Sequence, residues 1–343
     1  MYKKISRKKN NINSILVTGG GGYIGSHTII SLLRNGYNVT AIDNFSNCKK
    51  NVITKIKKIS NDNFYFYKCD VNNYKKLVSI IKQKKIQAII HFAALKSAED
   101  SNLNPRLYFK NNVNGSINLI NASKKCKIKK FIFSSSATVY HESNAVPFRE
   151  NYKLGAVNPY GETKIIVENY LKNFCKYNKS FTAICLRYFN PIGADVSGLL
   201  GEEANSKSTN LIPNIYKTIV NKKGILKIYG KKHNTKDGTC IRDFIHINDV
   251  VNGHLSALDY LKNENGWVAI NLGTGKGYSV LDVVKCFQKI LKLKIKIKFT
   301  KKRKGDLSVS YADVNKARKF LRWKAKFNLY DMCKSFCLWK KLI

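Results

Sequence analysis

The chain has 343 residues, 44% of them hydrophobic and 24% charged. That is enough for one large domain or two fused lobes with a real core, and too apolar for a disordered chain. Its 62 basic residues stand against 21 acidic ones, a net charge of +41, yet the lysines are scattered along the chain and form no clustered stripe. They read as compositional drift, with no nucleic acid as the main partner.

MYKKISRKKNNIN (1–13) is basic, lacks an apolar run, and is expected as a frayed tail rather than a signal peptide. Strand-like runs then alternate with helix-like segments: SILVT (14–18), NVTAID (38–43), FYFYKCDV (64–71), AIIHFAA (88–94), FIFSSS (131–136) and TAICLRYF (182–189). Nearly continuous runs of Ile, Val and Phe are the mark of strands buried on both faces. With crossover helices between them they predict an α/β fold, a doubly wound parallel sheet with helices on both sides. No apolar run reaches the ~18 residues of a membrane span, so no membrane is expected.

VTGGGGYIGSH (17–27) joins the first strand to the first helix, with Gly19, Gly22 and Gly25 spaced GxxGxxG. A pyrophosphate site needs such a turn, because backbone must approach the phosphates and the helix start must offer them its free N–H groups. Asp43 ends the second strand eighteen residues after Gly25. An acid there accepts hydrogen bonds from ribose hydroxyls and repels a 2′-phosphate, which predicts NAD rather than NADP. Asp70, at the end of the third run, is placed to reach the adenine side.

SSSATVY (134–140) closes the fifth run, at the carboxyl edge where ligands bind in such sheets. NPYGETK (158–164) opens a helix at Pro159 and sets Tyr160 four residues before Lys164, on one helix face. Free tyrosine, with a pKa of about 10, is a poor base. A nearby ammonium favours the phenolate, giving an acid–base group with Ser136 as hydrogen-bonding partner.

After Asn190 the loops lengthen (197–209, 231–240) and the elements shorten. LKLKIKIKF (291–299) alternates, and is expected as an edge strand with Leu291, Leu293, Ile295, Ile297 and Phe299 on one face and lysines on the other. The nine cysteines are dispersed and make no CxxC, which predicts free thiols in a reducing, cytoplasmic compartment. Cys333 and Cys337, one turn apart, are expected in the core, and no metal site is expected.

Taken together, VTGGGGYIGSHT, AIDNFSN, IIHFAALKS, NNVNGSINLI, FIFSSSATVY, NPYGETK, LRYFNPIGA, GTCIRDFIHINDV, INLGTGKGYSVLDVV and KGDLSVSYAD resemble the extended short-chain dehydrogenase/reductase family, and within it the UDP-hexose 4-epimerases, from Ile15 to about Trp339. The resemblance implies a Rossmann-type NAD domain over 14–190 with a return segment at 241–272. It implies a smaller C-terminal α/β substrate-binding lobe for the UDP-sugar over 191–240 and 273–343. It also implies a homodimer, tightly held NAD and a UDP-hexose substrate. By position, Gly19, Gly22, Tyr23, Ile24, Asp43, Asn44, Asp70, Val71, Phe92, Ala93, Lys96, Asn111 and Tyr188 match the family's NAD contacts, together with Tyr160 and Lys164. Lys96, Ser136, Tyr160, Asn190, Asn210, Leu211, Arg242, Arg303, Asp306 and Ser310 match the sugar-nucleotide side. The chain departs from the family at Ala94 and Glu99, each in place of a usual glycine, and it ends soon after Trp339, without the family's usual tail. Ser310 is small where bulk helps close the hexose pocket, so N-acetylated sugars are an alternative substrate class. A 4,6-dehydratase would want an acid–base pair beside the serine run, but Ala137 and Val139 flank Thr138. A UDP-glucuronate-type enzyme, which would want additional groups for the sugar carboxylate, and an RNA-binding role on the same scaffold are the remaining rivals.

Overall fold

The computed structural model describes residues 12–60, 64–203, 210–221, 224–303 and 305–343. The basic stretch up to residue 11 lies outside them, as do 204–209 of the long loop. Ile12 already packs in the core, and Asn13 accepts from Asn38 N at 2.8 Å.

Among the described residues the strands are, in order, β1 Ser14–Thr18, β2 Asn38–Asp43, β3 Phe64–Lys68, β4 Ala88–His91, β5 Lys130–Ser136, β6 Thr182–Tyr188, β7 Asn190–Ile192, β8 Leu226–Tyr229, β9 Ile241–Arg242, β10 Phe244–His246, β11 Gly266–Leu272, β12 Tyr278–Ser279, β13 Ile297–Thr300 and β14 Val309–Ser310. The helices are α1 Tyr23–Arg34, α2 Asn51–Ile59, α3 Tyr74–Gln83, α4 Ala98–Leu103, α5 Pro105–Tyr108, α6 Gly115–Lys125, α7 Pro159–Tyr177, α8 Leu211–Val220, α9 Ile247–Asn263, α10 Val280–Leu291, α11 Asn315–Leu321 and α12 Leu329–Trp339. A π-helical segment, Phe109–Asn114, joins α5 to α6.

Seven strands form one sheet in the order β11-β6-β5-β4-β1-β2-β3, and every pairing in it is parallel. Alternation along each strand feeds two cores. Ile15 and Val17 of β1 enter the cluster with α1 and α9, whereas Leu16 enters the one with α3, α6 and α7. The connections reverse between β1 and β4, the crevice where such sheets bind ligands. A third apolar cluster, built by α8, α10 and α12 over β8, makes the core of the smaller lobe. Cys333 and Cys337 are buried in it. Among the described residues no helix is long and apolar enough to cross a membrane.

Three expectations change. The runs at 64–71, 88–94 and 182–189 end as strands at Lys68, His91 and Tyr188, because their last residues turn off as loops at the ligand edge. β3 is not buried on both faces: it has one neighbour, and Tyr65 is 47% exposed, beneath the Lys84 ammonium. The LKLKIKIKF strand is mostly absent. Leu291 belongs to α10, Lys292 stops that helix in the left-handed region at φ 50°, and Ile295 N donates to the Gln288 side chain at 2.8 Å. Only Ile297–Thr300 is extended, paired in parallel with β8. The run satisfies both a helical and a two-residue period at its start, and tertiary packing of α10 on α12 selects the helix.

Candidate active site

The glycine turn is made by close approach. Gly19 has φ +68°, and a Cβ there would stand 2.7 Å from the backbone nitrogen of Ala93. A Cβ on Gly25 would stand 2.2 Å from the Gly19 carbonyl oxygen. Gly22 differs, because a Cβ on it would meet only Gly19 O, at 3.2 Å. It caps α1 at φ −73°, no side chain caps that helix start, and its first turn holds no acid. This bare α-carbon beside open N–H groups fits a dinucleotide pyrophosphate. Gly25→Ala is expected to cost about 1–3 kcal/mol through overpacking. Gly22→Ala is expected to change stability by less than about 0.5 kcal/mol and to weaken NAD binding about tenfold or more. Melting curves with and without added NAD distinguish the two; equal destabilisation by both changes would contradict the geometry.

Asp43 is buried at the end of β2. Its Oδ2 accepts from Gly21 N at 2.9 Å and its Oδ1 from Phe45 N at 2.8 Å, leaving lone pairs on both oxygens. The Cys48 thiol lies against it and is pushed up to about 12 by burial, then by the Asp43 charge and hydrogen bond. Asn44 Nδ2 donates to Asp70 Oδ2 at 2.7 Å, which joins the two adenosine-side candidates. Burial acts to raise the Asp70 carboxyl, but hydrogen bonds from Asn72 and Asn44 and the Lys110 charge outweigh it and hold it low. Tyr23 Oη donates to Gly193 O at 2.7 Å. Ile24 packs partly against the core, Val71 is buried, and the Phe92 ring lies 4.8 Å from that of His254. Lys96 is half exposed and paired with Glu202 at 2.8 Å. Asn111 donates to Asn112 Oδ1 at 2.9 Å.

The tyrosine and lysine lie at the start of α7, whose Asn158 cap accepts from Gly161 N at 2.9 Å. Lys164 is 3% exposed, and its Nζ donates to Ser134 O at 2.8 Å and sits 5.7 Å from the Tyr160 ring centre. Ser136 Oγ accepts from Thr138 N at 3.2 Å and Thr138 Oγ1 at 3.0 Å, so its own proton is free to donate. In the chain alone burial raises the Tyr160 phenol, with the Ser136 side chain beside it opposing. Burial also pushes the Lys164 ammonium down to about 7, against the pull of Glu168 and Cys185. Tyr188 is buried beside this group, with its hydroxyl 3.2 Å from His254 Nε2.

The sugar-nucleotide candidates gather in the smaller lobe. Arg242 is ion-paired with Asp306, the Arg303 guanidinium lies 3.9 Å over the Tyr229 ring, and Ser310 is the parallel neighbour of Arg242. A cavity of about 530 Å³ opens here, lined by Glu142, Lys302, Asp306 and Ser308 among others. Leu211 begins α8, with Asn210 at its N-cap. Asn190 opens β7, and its N–H donates to Asp243 O at 2.9 Å.

Sequence reading missed the floor under the glycine turn. Ser116 Oγ donates to the Asn112 carbonyl and so accepts from His91 Nε2, at 2.8 Å. His91 Nδ1 then accepts from Thr18 Oγ1 at 2.6 Å, and Thr18 accepts from Ala93 N at 3.3 Å. Asn112 also clasps both backbone groups of Leu95. The polar HF and NNVNG residues inside apolar elements were the available signal.

A parallel sheet with a pyrophosphate-shaped first turn and a tyrosine–lysine helix start beside its fifth strand defines a dinucleotide-dependent class of enzyme. Residues 15–273 match the model of the NAD dependent epimerase/dehydratase family, and the chain belongs to that family. It is 44% identical over 329 residues to UDP-glucose 4-epimerase of Dictyostelium discoideum, covering 96% of each chain. UDP-glucose-4-epimerase from Stenotrophomonas maltophila, solved with bound NAD and formylated UDP-arabinopyranose, superposes with a TM-score of 0.92 at 36% identity, over 96% of this chain and 97% of that one. The UDP-Glc/GlcNAc 4-epimerase of Campylobacter jejuni gives 0.83 at 36% identity, over 96% and 100%.

Proposed function

We propose that this protein interconverts UDP-galactose and UDP-glucose by reversible oxidation at C4 through a 4-keto sugar, with NAD retained between cycles. The observation that carries the reading is the Ser136–Tyr160–Lys164 group beside the open glycine turn, in a chain nearly half identical to proteins of that activity. Tyr160 as phenolate takes the proton of the sugar 4-hydroxyl and later returns one, so the cycle is proton-neutral. Ser136, with its proton free, donates to the 4-oxygen while Tyr160 acts on it. The Lys164 ammonium stabilises the phenolate. The hydride chemistry at C4 is what bound NAD supplies, and Gly19, Gly22, Asp43, Asn44 and Asp70 are the residues that would hold it. Arg242 and Arg303 suit the diphosphate, since guanidinium groups bind such oxygens in pairs. The Arg242–Asp306 ion pair has to exchange for it. Lys96 has to leave Glu202 to reach a ligand.

In this reading the sheet holds NAD, and residues 191–240 and 273–343 hold the UDP-sugar. We read the protein as a homodimer. Leu103 and Leu107, 78% and 52% exposed on α4 and α5, supply apolar surface for a second copy. Free thiols at all nine cysteines accord with a reducing, cytoplasmic location.

Purified protein given UDP-galactose without added NAD is expected to form UDP-glucose, followed by NMR. No product even with NAD added would overturn the reading. Ser310 favours a second substrate class, because a serine side chain leaves room where an N-acetyl group would project. UDP-N-acetylglucosamine is therefore expected to turn over within about 100-fold of UDP-glucose, and Ser310→Tyr to abolish that turnover while sparing UDP-galactose. Absence of any turnover with UDP-N-acetylglucosamine would refute the broader specificity.

A further inference from the structure

Ser134, Ser135 and Ser136 are consecutive on β5, and each meets a different turn of α7. Ser136 lies beside Tyr160, the Ser134 carbonyl accepts from Lys164 at 2.8 Å, and Ser135 Oγ donates to Glu168 Oε1 at 2.5 Å. Tyr160, Lys164 and Glu168 are four residues apart, so they share one helix face. The first two have chemical roles in the reading above; the third has none yet.

Glu168 and Arg187 are each 1% exposed. Arg187 Nε donates to Glu168 Oε1 at 3.0 Å and Nη2 to Oε2 at 2.5 Å. The remaining nitrogen, Nη1, is held by Tyr140 Oη at 3.2 Å and Glu150 O at 3.1 Å. The carboxylate thus receives three donors and has one position. A buried ion pair is weak evidence for stability, because desolvation offsets its attraction. Where this pair sits is more telling.

We propose that Glu168 is a positioning residue: clamped by Arg187 and Ser135, its fixed carboxylate keeps the Lys164 ammonium charged one turn from Tyr160 and locks the register of α7 on β5. The catalytic consequence rests on the epimerase reading; the effect on Lys164 rests on the one-turn spacing of the two residues, the fixed carboxylate and the attraction between their charges. The groups around Lys164 are Tyr160 and Glu168 on α7, Cys185 on β6 and His91 on β4, with Tyr188 beyond Tyr160. Burial keeps the Cys185 thiol protonated and the His91 ring neutral. Glu168 is therefore the anion of the set, opposing the burial that drives Lys164 toward neutrality.

Glu168→Gln preserves the shape and removes the charge. The Lys164 titration can be followed by NMR of carbon-13-labelled lysine, with the signal assigned by its loss in Lys164→Arg. Its midpoint is expected to fall by about one pH unit. For UDP-galactose, kcat is expected to fall about tenfold with KM changed less than about threefold, and the acid limb of kcat to move down with the midpoint. An unmoved midpoint in folded Glu168→Gln protein overturns the proposal. If the unpaired Arg187 prevents folding, Glu168→Gln/Arg187→Met removes both charges. The same midpoint then decides, lowered in support and unchanged against. Should the wild-type protein turn over no UDP-galactose, the epimerase reading fails, while the Lys164 midpoint still decides the electrostatic claim.

Discussion

Tyr160→Phe is expected to lower kcat for UDP-galactose by about two to four orders of magnitude, with the KM within a few-fold and the fold unchanged. The ring stays, and only the hydroxyl beside Ser136 is lost. The pH profile of the unaltered protein should show why the pair works. With the phenol raised and the ammonium down at about 7, the first proton to leave the pair comes off near neutrality. The resulting neutral pair holds the same number of protons as phenolate plus ammonium, so the two interconvert without exchange with solvent. The acid limb of kcat should therefore lie near pH 7 and not near the 10 of free tyrosine. Tyr160→Phe should abolish the activity that shows this limb, and Lys164→Met should cost a comparable factor. Retention of more than about a tenth of wild-type kcat by Tyr160→Phe would remove the tyrosine from proton transfer.

Much of this arrangement is legible in the residues, for identifiable reasons. Strands buried on both faces announce themselves by composition, and glycines under steric compulsion by spacing, so β1, α1 and Asp43 are found where the pattern puts them. The Tyr160–Lys164 pair follows from helical geometry alone. Partners distant in the chain are not legible in this way. Nothing local announces that Glu168 meets Arg187 on β6, or that Thr18, His91 and Ser116 form one chain beneath Ala93. Nor does a sequence display burial, which raises the Tyr160 phenol in the chain alone. LKLKIKIKF misleads for another reason: its alternation is real, but α10 needs its first residue for packing on α12.

Stability should fall early on acidification, before the carboxylates titrate. His91 is pushed down to about 3 by burial and then by the Lys164 charge. His246 is pushed to about 4 by burial and then His27, and His254 to about 4 by burial against its bond to Val250 O. All three are buried to within 2% of full. Each is neutral in the fold, while the unfolded chain binds a proton below about pH 6.5. The unfolded state therefore holds more protons, so stability is complete above pH 6.5 and declines as the pH falls toward the folded values. The loss per histidine approaches about 1.4 kcal/mol per pH unit, so the three remove about 4 kcal/mol near pH 5.5. Asp70 and Asp195, held low, add their loss only at lower pH. Asp243 and Asp249 are raised by burial and act in the opposite direction, gaining protons in the fold as acid is added. A melting temperature lower at pH 5.5 than at pH 7.5 by on the order of 5 °C is expected, and a flat profile would show that these rings are not neutral and buried. The loss stops short of the site. In the fold His91 takes up a second proton only as the pH approaches 3, so Thr18 keeps its bond to His91 and its hold on the Ala93 N–H that packs against Gly19. NAD retention by the folded protein should therefore be unchanged between pH 7.5 and 5.5 while the melting temperature falls, and release of cofactor from the purified protein before any loss of helical signal would contradict a neutral His91.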